Sequence, residues 1–246
     1  MAKLEVVENQ AAYVLHSRPF RDSSLLVHLL SKDHGRVNVI AKGARKQSGK
    51  RQARQPLQAL LALQVDWQGR SDLKTLLRWE SRSQPLMLQG DRLYSALYIN
   101  ELLMRLLPEN DSAAELFEPY ETCMKALDSN CDLQPLLRCF ELNLLTALGY
   151  GLDFEHSEGD APIHSDGYYY WQTSGLFIPA GNRNNAYRGE HLMAIEQRDF
   201  SDSAVLLCAK QLMRQVFDHL LDHKPLKTRE FVRQMQQQSV GVSKHD

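Results

Sequence analysis

The sequence predicts an α+β chain: a small five-stranded β-barrel in residues 1–80, then a mostly α-helical stretch over 81–246 that a small β excursion interrupts. Three observations predict it. Short runs of alternating apolar and polar residues, separated by compact turns, fill the first 80 positions. After Pro85 the apolar period lengthens to that of helices. Charge divides at the same place, with 14 Lys or Arg against 7 Asp or Glu in residues 1–80 and 15 against 23 in residues 81–246. The formal net charge of -1 therefore joins a basic segment to an acidic one and implies two surfaces with different partners.

The first strand is expected over Ala11–His16, an apolar run with a polar end. Ser23–Leu30 follows, then Arg36–Ile40 (RVNVI), which alternates as a half-buried strand does. Asp33-His34-Gly35 supplies the turn between them. Leu60–Trp67 and Leu73–Trp79 flank Gln68-Gly69-Arg70-Ser71, a hairpin signal. Five short strands with one longer loop fit a closed or partly closed barrel, and an SH3-like barrel would give the same spacing.

Helical periodicity then runs from Leu93 to Leu107, where Pro108 stops it. Ser112 and Glu115 form a capping box for a second helix reaching about Leu127, with Pro119 as a point of kink or restart. Leu133–Leu148 forms a third, closed by Gly149. Residues 152–188, which include SDGYYYWQTSGLFIP, suit a β-hairpin or irregular two-stranded excursion. Helices resume over Glu190–Glu196, Ser203–Leu221 and Leu226–Met235, with a frayed glutamine-rich tail.

Apolar content of 43% and charged content of 24% describe a globular rather than a disordered chain. No run approaches the ~18 apolar residues of a membrane span. MAKLEVVENQ has no apolar signal core, so a cytoplasmic protein is expected. Cys123, Cys131, Cys139 and Cys208 lack C-x-x-C spacing and read as reduced thiols.

The basic run of residues 42–54 carries Lys42, Arg45, Lys46, Lys50, Arg51 and Arg54 without one carboxylate. Its Gly43 and Gly49-Lys50 imitate a nucleotide-binding loop. Five residues intervene where four are needed, and Arg51 stands where Ser or Thr would hold Mg²⁺. A nucleic-acid grip fits better: each cation that neutralises a phosphate releases a counterion. Arg18, Arg21, Lys32 and Arg36 extend the patch, and Tyr13 and Phe20 are the aromatics available to stack on bases. A solvated loop, with Tyr13 and Phe20 as packing residues, is the competing reading. His219 and His223, and His156 and His164 around Glu158 and Asp160, match no metal-binding motif. No nucleophile elbow or two-metal carboxylate pattern is present. Neither an enzyme nor a cofactor is expected.

Four segments carry a resemblance: RVNVIAKGARK (36–46), SALYINELLMRLLPE (95–109), LRCFELNLLTALGYG (137–151) and KPLKTREFVRQ (224–234). In this order they resemble the RecO family of bacterial DNA repair and recombination proteins, nearly end to end. The resemblance implies an N-terminal OB-fold DNA-binding domain over 1–80 and a helical domain over 81–246. It implies binding to single- and double-stranded DNA, strand annealing, contacts with RecR and with the acidic C-terminal tail of single-stranded DNA-binding protein (SSB), and help in loading RecA. Such a protein would be nucleoid-associated, without a membrane partner. Carried onto this chain, DNA contacts fall on Arg18, Arg21, Arg36, Lys42, Arg45, Lys46, Lys50, Arg51 and Arg54, and the SSB tail on Arg138, Phe140 and Leu144. Some members carry a four-cysteine zinc module after the Gly-Tyr-Gly segment. Residues 151–188 hold no cysteine, so Tyr168, Tyr169, Tyr170, Trp171 and Phe177 are expected to hold that region by packing. The rival reading is a structural adaptor of a repair complex that makes no DNA contact through the 42–54 loop.

Overall fold

The barrel closes because its first strand is long enough to pair along both edges. In a computed structural model the described residues are 6–45, 56–109, 114–181 and 185–242, the side chains of Ala114 and of 236–242 excepted. Strands β1 (Val6–Phe20), β2 (Ser24–Ser31), β3 (Gly35–Ala41), β4 (Ala62–Gln68) and β5 (Leu73–Ser81) form a closed barrel in the order β1-β2-β3-β5-β4. Only β3 and β5 run parallel. This is the five-stranded, OB-like arrangement expected. The first strand is longer than Ala11–His16 because it serves two partners: β4 takes Val6–Tyr13 and β2 takes Ala12–Phe20.

A strand shared in this way must bend, and β1 does so at two irregularities. Between Val7 and Gln10 the register with β4 shifts, and Asn9 adopts φ +55 while its N–H donates to the Asp66 carboxylate at 2.7 Å. Between Val14 and His16 the register with β2 shifts, leaving Leu15 as the extra residue of a bulge. Inside the barrel Val14, Val27, Leu29, Val39, Leu63 and Trp67 are buried, and Leu57 and Leu61 join them as the chain returns to β4.

The bulge frees the Leu15 carbonyl, and α1 (Gly90–Leu106) satisfies it. Asn100 Nδ2 donates to that oxygen at 2.8 Å, and the Tyr120 hydroxyl on α2 (Ala114–Leu127) donates to Asn100 Oδ1 at 2.7 Å. All three residues are buried. Pro119 neither restarts nor interrupts α2: it is the sixth residue, where its missing N–H forfeits a single bond to the first turn. The capping residue expected at Ser112 lies outside the described residues. A last helix, α6 (Lys227–Val242), packs on α1 and continues past Met235, glutamine being a good helix former.

These elements belong to one compact unit, Met1–Ser129 with Leu226–Asp246; Asn130–Pro225 forms a second. In the second, α3 (Leu133–Ala147) starts at Asp132, whose side chain accepts from the Gln134 N–H, and ends before Gly149 at φ +75. Five short strands follow: β6 (His156–Ser157), β7 (Ala161–Pro162), β8 (Tyr168–Trp171), β9 (Phe177–Pro179) and β10 (Tyr187–Arg188), ordered β10-β8-β9-β6-β7. Tyr169, Trp171 and Phe177 are buried there, joined by Phe154 and Ile163, whereas Tyr168 and Tyr170 are half-buried. Gly189 is required by close approach, since a Cβ would lie 1.9 Å from the His164 carbonyl oxygen. Helices α4 (Gly189–Glu196) and α5 (Ser203–Leu220) complete the unit, with Asp202 capping α5. No helix among the described residues is long and apolar enough to cross a membrane.

Asn100→Leu strands both the Leu15 carbonyl and the Tyr120 hydroxyl and should cost about 2–3 kcal/mol, against about 1 kcal/mol for Tyr120→Phe. Denaturant unfolding of both variants checks the magnitudes and their order.

Candidate nucleic-acid interface

The ends of β1 and β3 meet because each pairs with the start of β2. Phe20 lies opposite Ser24, and Leu25 opposite Ala41. The 21–23 turn and the residues after Ala41 are therefore neighbours, and Arg18, Arg21, Lys42 and Arg45, all exposed, gather at one end of the barrel. Arg45 ties the two segments: its N–H donates to the Ser23 carbonyl at 3.0 Å and its Nη1 to the Arg21 carbonyl at 3.4 Å. Arg21, at φ +52, lays its guanidinium 5.2 Å over the Phe20 ring. Phe20 thus stands beside a cation at the surface, while Tyr13 is buried against Phe117 and Tyr120. Burial and then the Glu121 carboxylate raise the Tyr13 phenol well above its ordinary pKa. Ala44 packs against the barrel core on one side of the basic run and Leu57 within it on the other. Lys46, Lys50, Arg51 and Arg54 lie outside the described residues.

Arg36 does not join this surface. It is buried, and its Nε donates to the Leu107 carbonyl at 2.9 Å while Nη2 stands 3.5 Å from Glu109. A guanidinium committed in this way ties β3 to the end of α1. Lys32, also expected near the patch, is exposed and stands 3.8 Å from Glu118.

In the second unit Phe140 and Leu144 are core residues, and Arg138 is buried as well. Its Nη2 donates to Glu141 at 2.8 Å, with the two side chains 7% and 1% exposed; its Nε has no hydrogen-bond partner among the described residues. As it stands the trio presents no open arginine. The same helix does supply Leu142 and Leu145 to a cleft of about 120 Å³, completed by Phe154 and Ile195, with exposed Glu196 and Arg198 lining it. Arg198, at φ +56, donates to the Cys139 carbonyl at 3.0 Å and to Asn143 Oδ1 at 2.9 Å. Nothing in the local sequence marks Arg198, because its partners are 55 and 59 positions away.

Among the described residues no three His, Cys, Asp or Glu side chains come together as a metal site. The His219 ring packs edge-on to Trp171 at 5.9 Å, and His156 Nδ1 is 3.5 Å from Asp153. The four cysteines are free thiols.

Comparison with known proteins matches residues 4–84 to the family described as Recombination protein O N terminal and residues 87–230 to Recombination protein O C terminal. The DNA repair protein RecO of Cellvibrio japonicus is 46% identical over 230 residues, 91% of this chain and 96% of the relative. That of Salmonella enteritidis is 42% identical over 240 residues, 96% of this chain and 98% of the relative.

One titrating group lies on the outer face of β2, midway along the strand. His28 Nδ1 meets Asn38 Oδ1, and its ring stands 5.9 Å from that of His16 on β1. Burial first, then the positive neighbours His16 and Arg36, hold its pKa below the ordinary 6.5, against the opposing pull of Asn38 and Glu109. The unfolded chain binds the proton more readily, so His28 lowers stability as pH falls through about 6.5 towards its folded value. Unfolding free energies measured between pH 8 and pH 5 should show that decline, and His28→Gln should flatten this part of it.

Proposed function

The chain belongs to the RecO family of DNA repair proteins, which places it in DNA repair and recombination, and we propose that it acts there as a non-enzymatic DNA-binding mediator. The observation that carries this reading is the convergence of Arg18, Arg21, Lys42 and Arg45 on one end of the barrel. Annealing brings two like-charged backbones together. A flexibly tolerant cationic surface lowers their repulsion without reading bases, so both single- and double-stranded DNA are substrates. In this reading residues 1–80 are the DNA-binding domain, and Lys46, Lys50, Arg51 and Arg54 extend its grip. The acidic helical part, residues 81–246, serves protein contacts: RecR, and the SSB tail that leads to RecA loading on the nucleoid. The tail's aromatic end and carboxylate suit an apolar cleft with an arginine beside it. The cleft at Leu142, Leu145, Phe154 and Ile195 meets this in part: those side chains form a buried floor, exposed Arg198 is its cation, held by Cys139 and Asn143, and Arg138, Phe140 and Leu144 on the same α3 helix are its support.

Two measurements test the proposal. Binding of single-stranded DNA should weaken steeply with salt. Replacing Lys42, Arg45, Lys46, Lys50, Arg51 and Arg54 with Ala should flatten the slope of log K against log salt by up to about 4. Arg36→Ala should leave that slope unchanged and lower stability. An unaltered slope in the six-residue variant would favour the adaptor reading.

For the cleft, Arg198→Ala should weaken binding of an SSB tail peptide several-fold and spare naked-DNA binding. Arg138→Ala alone leaves Glu141 buried without its cation and should destabilise by about 3–5 kcal/mol. The double replacement Arg138→Met with Glu141→Met avoids that penalty and isolates the arginine's part in peptide binding. Full peptide affinity in both the Arg198 variant and the double variant would remove the cleft from the function.

A further inference from the structure

The end of the chain returns to the first unit and builds a basic, aromatic surface there, separate from the cationic end of the barrel. Contacts run in opposite order along the two helices, so α6 lies antiparallel to α1. The Glu101 carboxylate accepts the N–H groups of Lys227 and Thr228 at 2.8 and 2.9 Å and the Thr228 hydroxyl at 2.7 Å. One turn back along α1, the Arg229 guanidinium sits 5.4 Å over the Tyr98 ring and donates to its hydroxyl at 3.2 Å. Another turn back, Tyr94 meets the Phe231 ring at 5.6 Å and 60°.

The α6 N-terminus is thus already occupied by a carboxylate and is not an anion site. What remains open is the ridge beyond it. Lys227, Phe231 and Met235 recur every four residues and so share one face, all three exposed, with Phe231 at 50%. Arg233, two positions from Phe231, is exposed on the other side of the helix. Residues 227–235 hold Lys227, Arg229 and Arg233 against Glu230 alone. Phe231 has one side braced by Tyr94 and half its surface in water, with a cation one helical turn away, about 6 Å along the axis. A ring held in that way with a cation one turn away offers both interactions that bind unpaired nucleotides: stacking on any base and neutralisation of its phosphate.

We propose that the α1–α6 ridge is a second contact surface for single-stranded nucleic acid, with Phe231 as the stacking platform and Lys227 as its phosphate contact. It goes beyond the mediator reading, because it does not depend on the barrel end and would give one compact unit two places to hold a strand. Glu101 is a positioning residue: by capping α6 it sets the ridge against α1.

The test uses the full chain with a 5-iodouracil-substituted oligonucleotide. Ultraviolet cross-linking should yield adducts on the peptides carrying Phe231 or Tyr94. In the six-residue loop variant, residual oligonucleotide affinity should fall about 10-fold with Phe231→Leu, which keeps an apolar contact to Tyr94 but removes the ring. Phe231→Trp should restore it, and Lys227→Ala should reduce its salt dependence. Absence of adducts on both peptides, no residual binding in the loop variant, or an affinity indifferent to Phe231→Leu would each overturn the proposal. So would loss of acidic-peptide binding with DNA binding intact, which would make the ridge a protein contact. A flattened salt slope in the loop variant with no effect at Phe231 sinks the ridge alone, and the opposite pattern sinks the barrel end alone.

Discussion

One buried carbonyl, that of Leu15, constrains everything around it. The barrel can close only if β1 bends to reach both β2 and β4, and the bend places an extra residue at Leu15. A carbonyl freed in this way and sealed from water costs about 1–3 kcal/mol if left alone. Asn100 satisfies it, and Tyr120 in turn satisfies Asn100. The sequence of obligations seats α1 and then α2 on the barrel, which explains why the compact unit extends beyond the five strands to Ser129. Arg36 strengthens the same attachment from β3.

The bulge also decides which residues face water. Side chains alternate along a strand, so one inserted residue reverses everything after it. Val14 lies opposite Leu29, and Ser17 opposite Val27, both core positions. His16, Arg18 and Phe20 consequently point outward. Without the extra residue Arg18 would point into the barrel core. A backbone irregularity six residues before Arg21 and thirty before Arg45 thus governs whether their cationic cluster can form.

This is also where the sequence was hardest to read. The five strands, the helical stops at Pro108 and Gly149 and the basic run are periodic or compositional signals within a few residues of one another. The alternation that should mark β1 breaks at Val14-Leu15, where both residues are buried, so the run looks shorter than it is. Arginine is ordinarily a surface residue, and nothing local distinguishes Arg36 and Arg138 from Arg18 and Arg21. The first is buried by a carbonyl 71 positions away. The second has its acid at i+3, a spacing visible in the sequence, but its burial comes from the packing of α3 and was not visible. The same holds for Arg198 and for the Tyr94–Phe231 pair, whose partners are distant in sequence.

Charge makes more sense by compact unit than by halves of the chain. The first unit holds 22 Lys or Arg against 17 Asp or Glu, and the second 7 against 13. The basic island at 227–233 lies in the acidic part of the sequence yet folds into the basic unit, because Glu101 fixes the start of α6 on α1. At physiological ionic strength exposed charges are felt over only about 8 Å. A net excess of five is then too dilute to hold a polyanion, and any such hold falls to local clusters. The barrel end and the α6 ridge are two such clusters on a single unit, each organised by a backbone or carboxylate contact that leaves its cations in water. The second unit has no comparable cationic cluster among its described residues. Its exposed carboxylates would repel a polyanion, so a strand held as proposed would be turned toward the clusters of the first unit.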